Sequence, residues 1–239
     1  MFEPVKVAVG EFMQGFYREL VPTTKPMIEF VDRGFERCFA FAPSRMIDQA
    51  EDMLASWQRN DTEQAASKPA KLPVVIVAIS KDYTPTARDF STQISDPIPI
   101  TITSDDKERY FELKMIVGDV RAQIAVIASD EPTAKSIAAQ FLLHLDSPSR
   151  RSFDANYSFA GINHPFPVHV ESPDNPAMNI DTGNKNITIL AIDLTLKCSI
   201  PLFRAPKVGE PNDGKGTPGT SDPAGYPLVS EVNNYPSEV

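Results

Sequence analysis

The sequence is poor in the residues that most often carry chemistry. Among 239 residues there are two cysteines and three histidines. Cys38 and Cys198 lie far apart with no C-x-x-C spacing, which gives neither a disulfide framework nor a thiolate zinc site, and their apolar neighbours read as the surroundings of buried thiols. His144, His164 and His169 stand in no H-E-x-x-H or comparable ligand spacing. The chain has no G-x-S-x-G elbow, phosphate-cradling loop or dinucleotide fingerprint, so acyl transfer, phosphoryl transfer and Rossmann chemistry have no residues to attach to. No catalytic residue, cofactor-binding residue, metal ligand or cofactor is therefore expected.

Positive charge is also in short supply. Lysine and arginine number 23 against 32 acidic residues, a formal net charge of −9. Gripping nucleic acid requires clustered cations to neutralise phosphates, so the composition argues against a DNA- or RNA-binding role and leaves room only for local basic patches. No run approaches the roughly 18 apolar residues of a membrane-spanning helix. Glu3 and Lys6 interrupt any signal-like stretch in Met1 to Gly10, so the protein is expected to act in the compartment where it is made.

What is present is a globular core with extensions. A hydrophobic share of 41% supports a packed interior, and the uneven distribution of proline divides the chain into residues 1–71, 72–203 and 204–239. In the first part, Val9, Phe12, Met13, Phe16, Tyr17 and Leu20 recur at three- and four-residue spacing, predicting a helix over Val5 to Leu20 that Pro22 ends. Met27 to Phe41 is ambiguous between helix and strand. Ser44 can cap a second helix whose stripe is Met46, Ile47, Ala50, Met53, Leu54 and Trp57. The polar stretch Asn60 to Lys71 then reads as a linker.

The middle part predicts an α/β (α+β) domain, a mostly antiparallel sheet with a packed helix. Val74 to Ile79 is a continuous apolar run suited to a strand covered on both faces. Lys81 to Asp96 reads as a long loop, and Ile98 to Thr103 as an edge strand. Tyr110 to Val117 and Val120 to Ala128 flank Gly118-Asp119, which predicts a two-residue hairpin. In the second of these runs Val120, Ala122, Ile124, Val126 and Ala128 share one face, with Arg121 and Gln123 opposite. A helix follows, capped by Ser129 or Asp130, with Pro132 in its first turn and a stripe of Ala134, Ile137, Ala138, Phe141, Leu142 and Leu145. After the Arg150-Arg151 corner, Pro167 to Glu171 and the long Asn186 to Ser199 return to strand-like sequence.

Two segments bear on function. Asp181-Thr182-Gly183 matches the tripeptide of aspartic peptidases, whose two carboxylates share a proton, but the chain holds one copy, and a turn leading into the strand at Asn186 accounts for it. Beyond Phe203 the sequence becomes rich in Pro, Gly, Asp, Ser and Asn. Such a segment cannot bury enough apolar surface to offset the entropy of ordering by itself, and it reads as an extended C-terminal arm with scattered anchors at Tyr226, Leu228, Val229 and Tyr235.

The run Phe111 to Leu145, in which VRAQIAVIAS leads through a capped turn into DEPTAKSIAAQFLLHL, resembles the tail terminator and related neck proteins of tailed bacteriophages. The resemblance spans about Leu72 to Phe203, and the helical N-terminal extension, the loop and the arm depart from the compact members. It implies a structural virion protein, made in the host cytoplasm, whose homo-oligomeric ring, commonly a hexamer, ends the tail tube and joins it to the head connector. Implied neighbours are tail-tube, sheath and head-connector proteins, with DNA passing unbound and no membrane. A tube- or baseplate-associated subunit is the near alternative.

Overall fold

Two long strands organise the molecule. The computed structural model describes residues 2–42, 72–85, 97–101, 110–159, 162–171, 174–181, 186–205 and 207. Strand β4 (Tyr110–Ala128) and strand β8 (Thr188–Arg204) run antiparallel in unbroken register, from Glu112 opposite Arg204 to Ala128 opposite Thr188. Their sequences are dense in Val, Ile and Leu, which suit a pleated surface packed on both sides. The other elements are α1 (Glu3–Glu19), α2 (Lys25–Arg33), α3 (Phe35–Cys38), β1 (Phe39–Ala42), β2 (Val74–Pro85), β3 (Ile98–Thr101), α4 (Glu131–Asp146), β5 (Ser152–Phe159), β6 (Ile162–Val170) and β7 (Ala177–Ile180). The strands form one eight-stranded sheet in the order β1-β2-β4-β8-β6-β5, with β3 on β4 and β7 on β8. Among the described residues only β1 and β2 pair in parallel, and every other pair is antiparallel. The α+β class expected from the sequence is the class observed.

The predicted hairpin at Gly118-Asp119 does not exist. The chain passes straight through both residues, which face Cys198 and Lys197 of β8. Among the described residues Gly34 is the glycine with a positive φ, at 88°, so Gly118 lacks the backbone conformation that a primed two-residue turn requires. Its glycine has another cause. A Cβ at Gly118 would fall inside the ring of Tyr83, against Cε2, Cζ and Oη. The ring of β2 lies across the backbone of β4, and only a residue without a side chain leaves it room. Tyr83 in turn belongs to a segment read as loop. Lys81 to Pro85 instead continue β2 beyond an irregularity between Ile79 and Tyr83.

The two faces of the sheet are both apolar. Val75 and Val77, then Val120, Ala122, Ile124, Val126 and Ala128, then Leu190, Ile192, Leu194 and Leu196 join the helices in one core. Val74, Ile76, Ala125, Ile127, Ile189 and Ala191 form a second cluster, as the period-two alternation of a strand requires. The double coverage expected of Val74 to Ile79 is thus observed for β2. Gln123, assigned to the outward face, is nonetheless buried, whereas Arg121 is exposed and pairs with Asp193 at 2.7 Å.

Helix α4 begins as the sequence predicts, with the Asp130 carboxylate accepting from the Thr133 amide at 2.8 Å and Pro132 in the first turn. Ala134, Ile137, Ala138, Phe141 and Leu145 are buried, but Leu142 is half-buried and His144 takes its place in the interior. Each large apolar side chain buried here contributes on the order of 1.5–3 kcal/mol.

The N-terminal helices are not an appendage to this core. Val5, Ala8, Val9, Met13, Phe16, Met27 and Phe30 belong to the same apolar cluster as α4 and the sheet, and β1 pairs with β2 across the boundary placed at residue 71. A polar seam fixes the link. The Gln140 carboxamide exchanges two hydrogen bonds with the Val21 backbone, at 2.8 and 2.9 Å, and Thr23 and Thr24 meet Ser136 and Thr133. The predicted helix at Met46 to Trp57, the linker Asn60 to Lys71, most of the loop before β3 and the arm from 208 onward lie outside the described residues.

Candidate assembly surfaces and a cleft at the sheet edge

Among the described residues four strands have a single strand partner, β1 on β2 and β5 on β6 at the two ends of the sheet, and the short β3 on β4 and β7 on β8 along its sides, so each has one row of backbone donors and acceptors with no strand beside it. Such edges template pairing with another chain. Several large apolar side chains are exposed, among them Phe41 on β1, Val7 on α1 and Met178 on β7.

Beside β1 the structure opens into a cleft of about 690 Å³, within the usual range for binding pockets. It lies between the first turns of α1, the end of β1 and the middle of β2. Its floor is Val5, Val77 and Val120; its walls carry Phe2, Phe41, Ile79 and Tyr83; its rim carries Glu3, Lys6, Lys81 and Asp82. Phe2 and Tyr83 pack with ring centroids 5.2 Å apart. The Tyr83 hydroxyl donates to the Val117 carbonyl at 3.2 Å, which fixes the ring over Gly118. Burial first, with Cys198 and Asp119 nearby, raises the Tyr83 pKa above that of free tyrosine, so the phenol is a neutral donor at physiological pH. Lys6 pairs with Glu3 at 3.1 Å. The wall is thus aromatic and aliphatic, with charge kept to the lip.

A polar cluster lies elsewhere, between α1 and α4. His144 Nδ1 is 2.8 Å from Arg150 Nη1 and 3.1 Å from Glu19 Oε2. The guanidinium also donates to Glu19, an arrangement that fits an unprotonated Nδ1 accepting from Arg150. The rings of Phe12 and Phe16 sit 5.1 and 5.7 Å from the imidazole. Burial is the main reason that the His144 pKa is lowered; the Arg150 charge adds to it and Glu19 opposes it. The cluster joins helix to helix. Arg150-Arg151, read as a corner, has both guanidinium groups in ion pairs, Arg150 with Glu19 and Arg151 with Asp146.

The histidines do not converge: His144 is on α4, while His164 on β6 packs against Phe203 of β8 and His169 lies opposite Lys197. Among the described residues no three His, Cys, Asp or Glu side chains are grouped so as to hold a metal ion. Cys38 and Cys198 are buried free thiols, their pKa values pushed up by burial to about 11 and about 12. Asp181 is exposed at the end of the short strand β7, an element absent from the sequence reading; Thr182 to Lys185 lie outside the described residues. No helix of the described residues is long and apolar enough to cross a membrane.

Sequence reasoning missed the cleft because its walls come from three segments. Phe2, Phe41 and Tyr83 have no common period. His144 could have been found, since it stands three residues after Phe141 and seven after Ile137, on the buried face.

No known family matches the chain, and no curated protein does. Among solved structures 13 chains are similar. One, 12% identical, aligns over 83% of this chain and 95% of its own length with a TM-score of 0.34, too loose a likeness to carry an argument.

Proposed function

We propose that the chain is a non-enzymatic structural subunit of a tailed-phage particle, assembling head to tail into a ring at the tail end or neck. The observation that supports this reading best is that the strands closing the two ends of the sheet are unlike, β1 paired in parallel and β5 antiparallel, with β3 and β7 as short further edges among the described residues. A contact between two unlike surfaces of identical subunits is heterologous, and such contacts generate closed rings when the rotation permits. The resemblance of Phe111 to Leu145 to tail terminator proteins points to the same assembly and to a sixfold ring. A net charge of −9 suits a conduit through which DNA slides, because acidic walls repel phosphate. The arm beyond Phe203 then reaches a neighbouring subunit or another virion protein. A tail-tube or baseplate-associated subunit shares these features and differs in station. A peptidase acting through Asp181 is the remote alternative.

The test is the mass of the purified protein in solution, by light scattering and sedimentation, together with electron microscopy of native particles. A discrete closed oligomer supports the reading, and a monomer at every concentration sinks it. Limited proteolysis tests the arm: cleavage within Gly209 to Val239 should be fast in free protein and slow in assembled protein, and equal rates would remove the arm from the assembly.

A further inference from the structure

We propose that the cleft beside β1 is the receptor for the chain's own C-terminal stretch Tyr226-Pro227-Leu228-Val229. This deepens the assembly reading by giving its arm a docking site.

The chemistry on the two sides matches. The cleft presents Phe2, Phe41 and Tyr83 around an aliphatic floor, and aromatic-lined grooves are the usual receptors for proline-containing extended peptides. A residue before proline is biased towards extended backbone, so Tyr226-Pro227 enters such a groove with little ordering cost. Leu228 and Val229 follow as two adjacent aliphatic anchors in a stretch that is mostly Gly, Pro, Ser, Asp, Glu and Asn. The cleft is accessible: among its lining residues Val7 is 56% exposed and Phe41 46%, large apolar surfaces that burial under a peptide would stabilise. The adjoining β1 strand, with no second strand partner among the described residues, can add backbone hydrogen bonds.

Reach is sufficient. Strand β8 ends at Arg204, opposite Glu112 of β4. Val120, on the cleft floor, lies farther along β4 by about 27 Å at roughly 3.4 Å per residue. The stretch from Lys207 to Tyr226 spans up to about 60 Å when extended. It can therefore meet its own cleft or that of an adjoining copy.

The experiment is disulfide trapping in the full-length chain. Cysteines are introduced at Val7→Cys, at the exposed edge of the cleft lining, and Leu228→Cys in the stretch, with Leu143→Cys plus Leu228→Cys as the control. Leu143 is 72% exposed on α4 and is not part of the cleft. The native thiols are buried and do not compete under mild oxidation. The expected result is a cross-link from the Val7→Cys pair at least tenfold faster than from the control, within one chain or between two, identified by non-reducing gel and peptide mass. No cross-link, or equal rates for both pairs, overturns the proposal. Solution mass measured on the same samples separates the two readings. A closed oligomer without the cross-link sinks the receptor and leaves the ring, while a cross-linked monomer does the opposite.

Discussion

Placing a methyl group at Gly118 is the most direct probe of how the sheet is built. In Gly118→Ala the new Cβ collides with the Tyr83 ring at Cε2, Cζ and Oη, and the ring must retreat. Doing so breaks the Tyr83 bond to the Val117 carbonyl, about 1 kcal/mol for a typical hydrogen bond. It also loosens the packing on Phe2, about 0.5–1.5 kcal/mol for an aromatic pair. Against this, alanine in a strand interior is favoured over glycine by about 0.5–1 kcal/mol. The net expectation is a destabilisation of about 1–1.5 kcal/mol. In a Tyr83→Ala background the collision is gone, so the same substitution should be neutral or stabilise by about 0.5 kcal/mol. Urea denaturation of the four proteins at one fixed concentration gives the coupling, expected near 2 kcal/mol, where unrelated sites add to within about 0.5 kcal/mol. A coupling below that limit refutes the ring-over-glycine arrangement. If Gly118 instead formed a turn, the cost of alanine would persist with Tyr83 removed.

Three further outcomes are expected. Phe141 is buried against Phe16 and Phe12, so Phe141→Ala should cost about 3–5 kcal/mol in denaturant unfolding; a loss under 1 kcal/mol would mean that α4 packs by another face. Because the folded-state pKa of His144 lies below its unfolded value of about 6.5, the unfolded chain binds more protons in that interval. Stability should therefore be level above about pH 7 and fall as the pH drops through the window beneath 6.5; the melting temperature of His144→Gln should lack this dependence, and an identical slope in both proteins would exclude His144 as its source. Asp181→Asn should leave solution mass and particle incorporation unchanged, with no acid-pH peptidase activity in the parent; activity lost in the variant would restore the peptidase reading.

Legibility in the sequence followed the range of the interactions. Helix α4 could be read from its cap and stripe because Asp130, Thr133 and Pro132 act within one turn. The burial of β2 on both faces was visible because it needs nothing beyond an apolar run. Gly118 was misread because a glycine between two β-rich runs signals either a turn or a close approach, and the deciding partner, Tyr83, is 35 residues away in a segment that resembles loop. Of the hairpin β5–β6 only the end of β6, within Pro167 to Glu171, was legible; β5 and the start of β6 escaped because the first is largely polar and the second carries Pro165 and Pro167. The apolar stripe of α1 was plain, yet a stripe does not name its partner. The polar stretch before residue 72 suggested a separate extension, where tertiary contact with α4 puts α1 in the common core. The cleft was illegible for the same reason, since it exists only once three segments meet.

The pairing of β4 with β8 bears on how the protein is born. Glu112 and its partner Arg204 are 92 residues apart in the chain, with α4, β5, β6 and β7 made in between. At about 5–20 residues per second, β4 leaves the ribosome several seconds or more before the strand that completes its ladder. During that wait β2 and α4 are its available neighbours, one covering an edge and the other a face. The opposite edge of β4 stays open until β8 arrives. Nascent chains emerging side by side could pair there instead, so slow, dilute synthesis should favour correctly folded subunits, and crowded, rapid expression should favour aggregates.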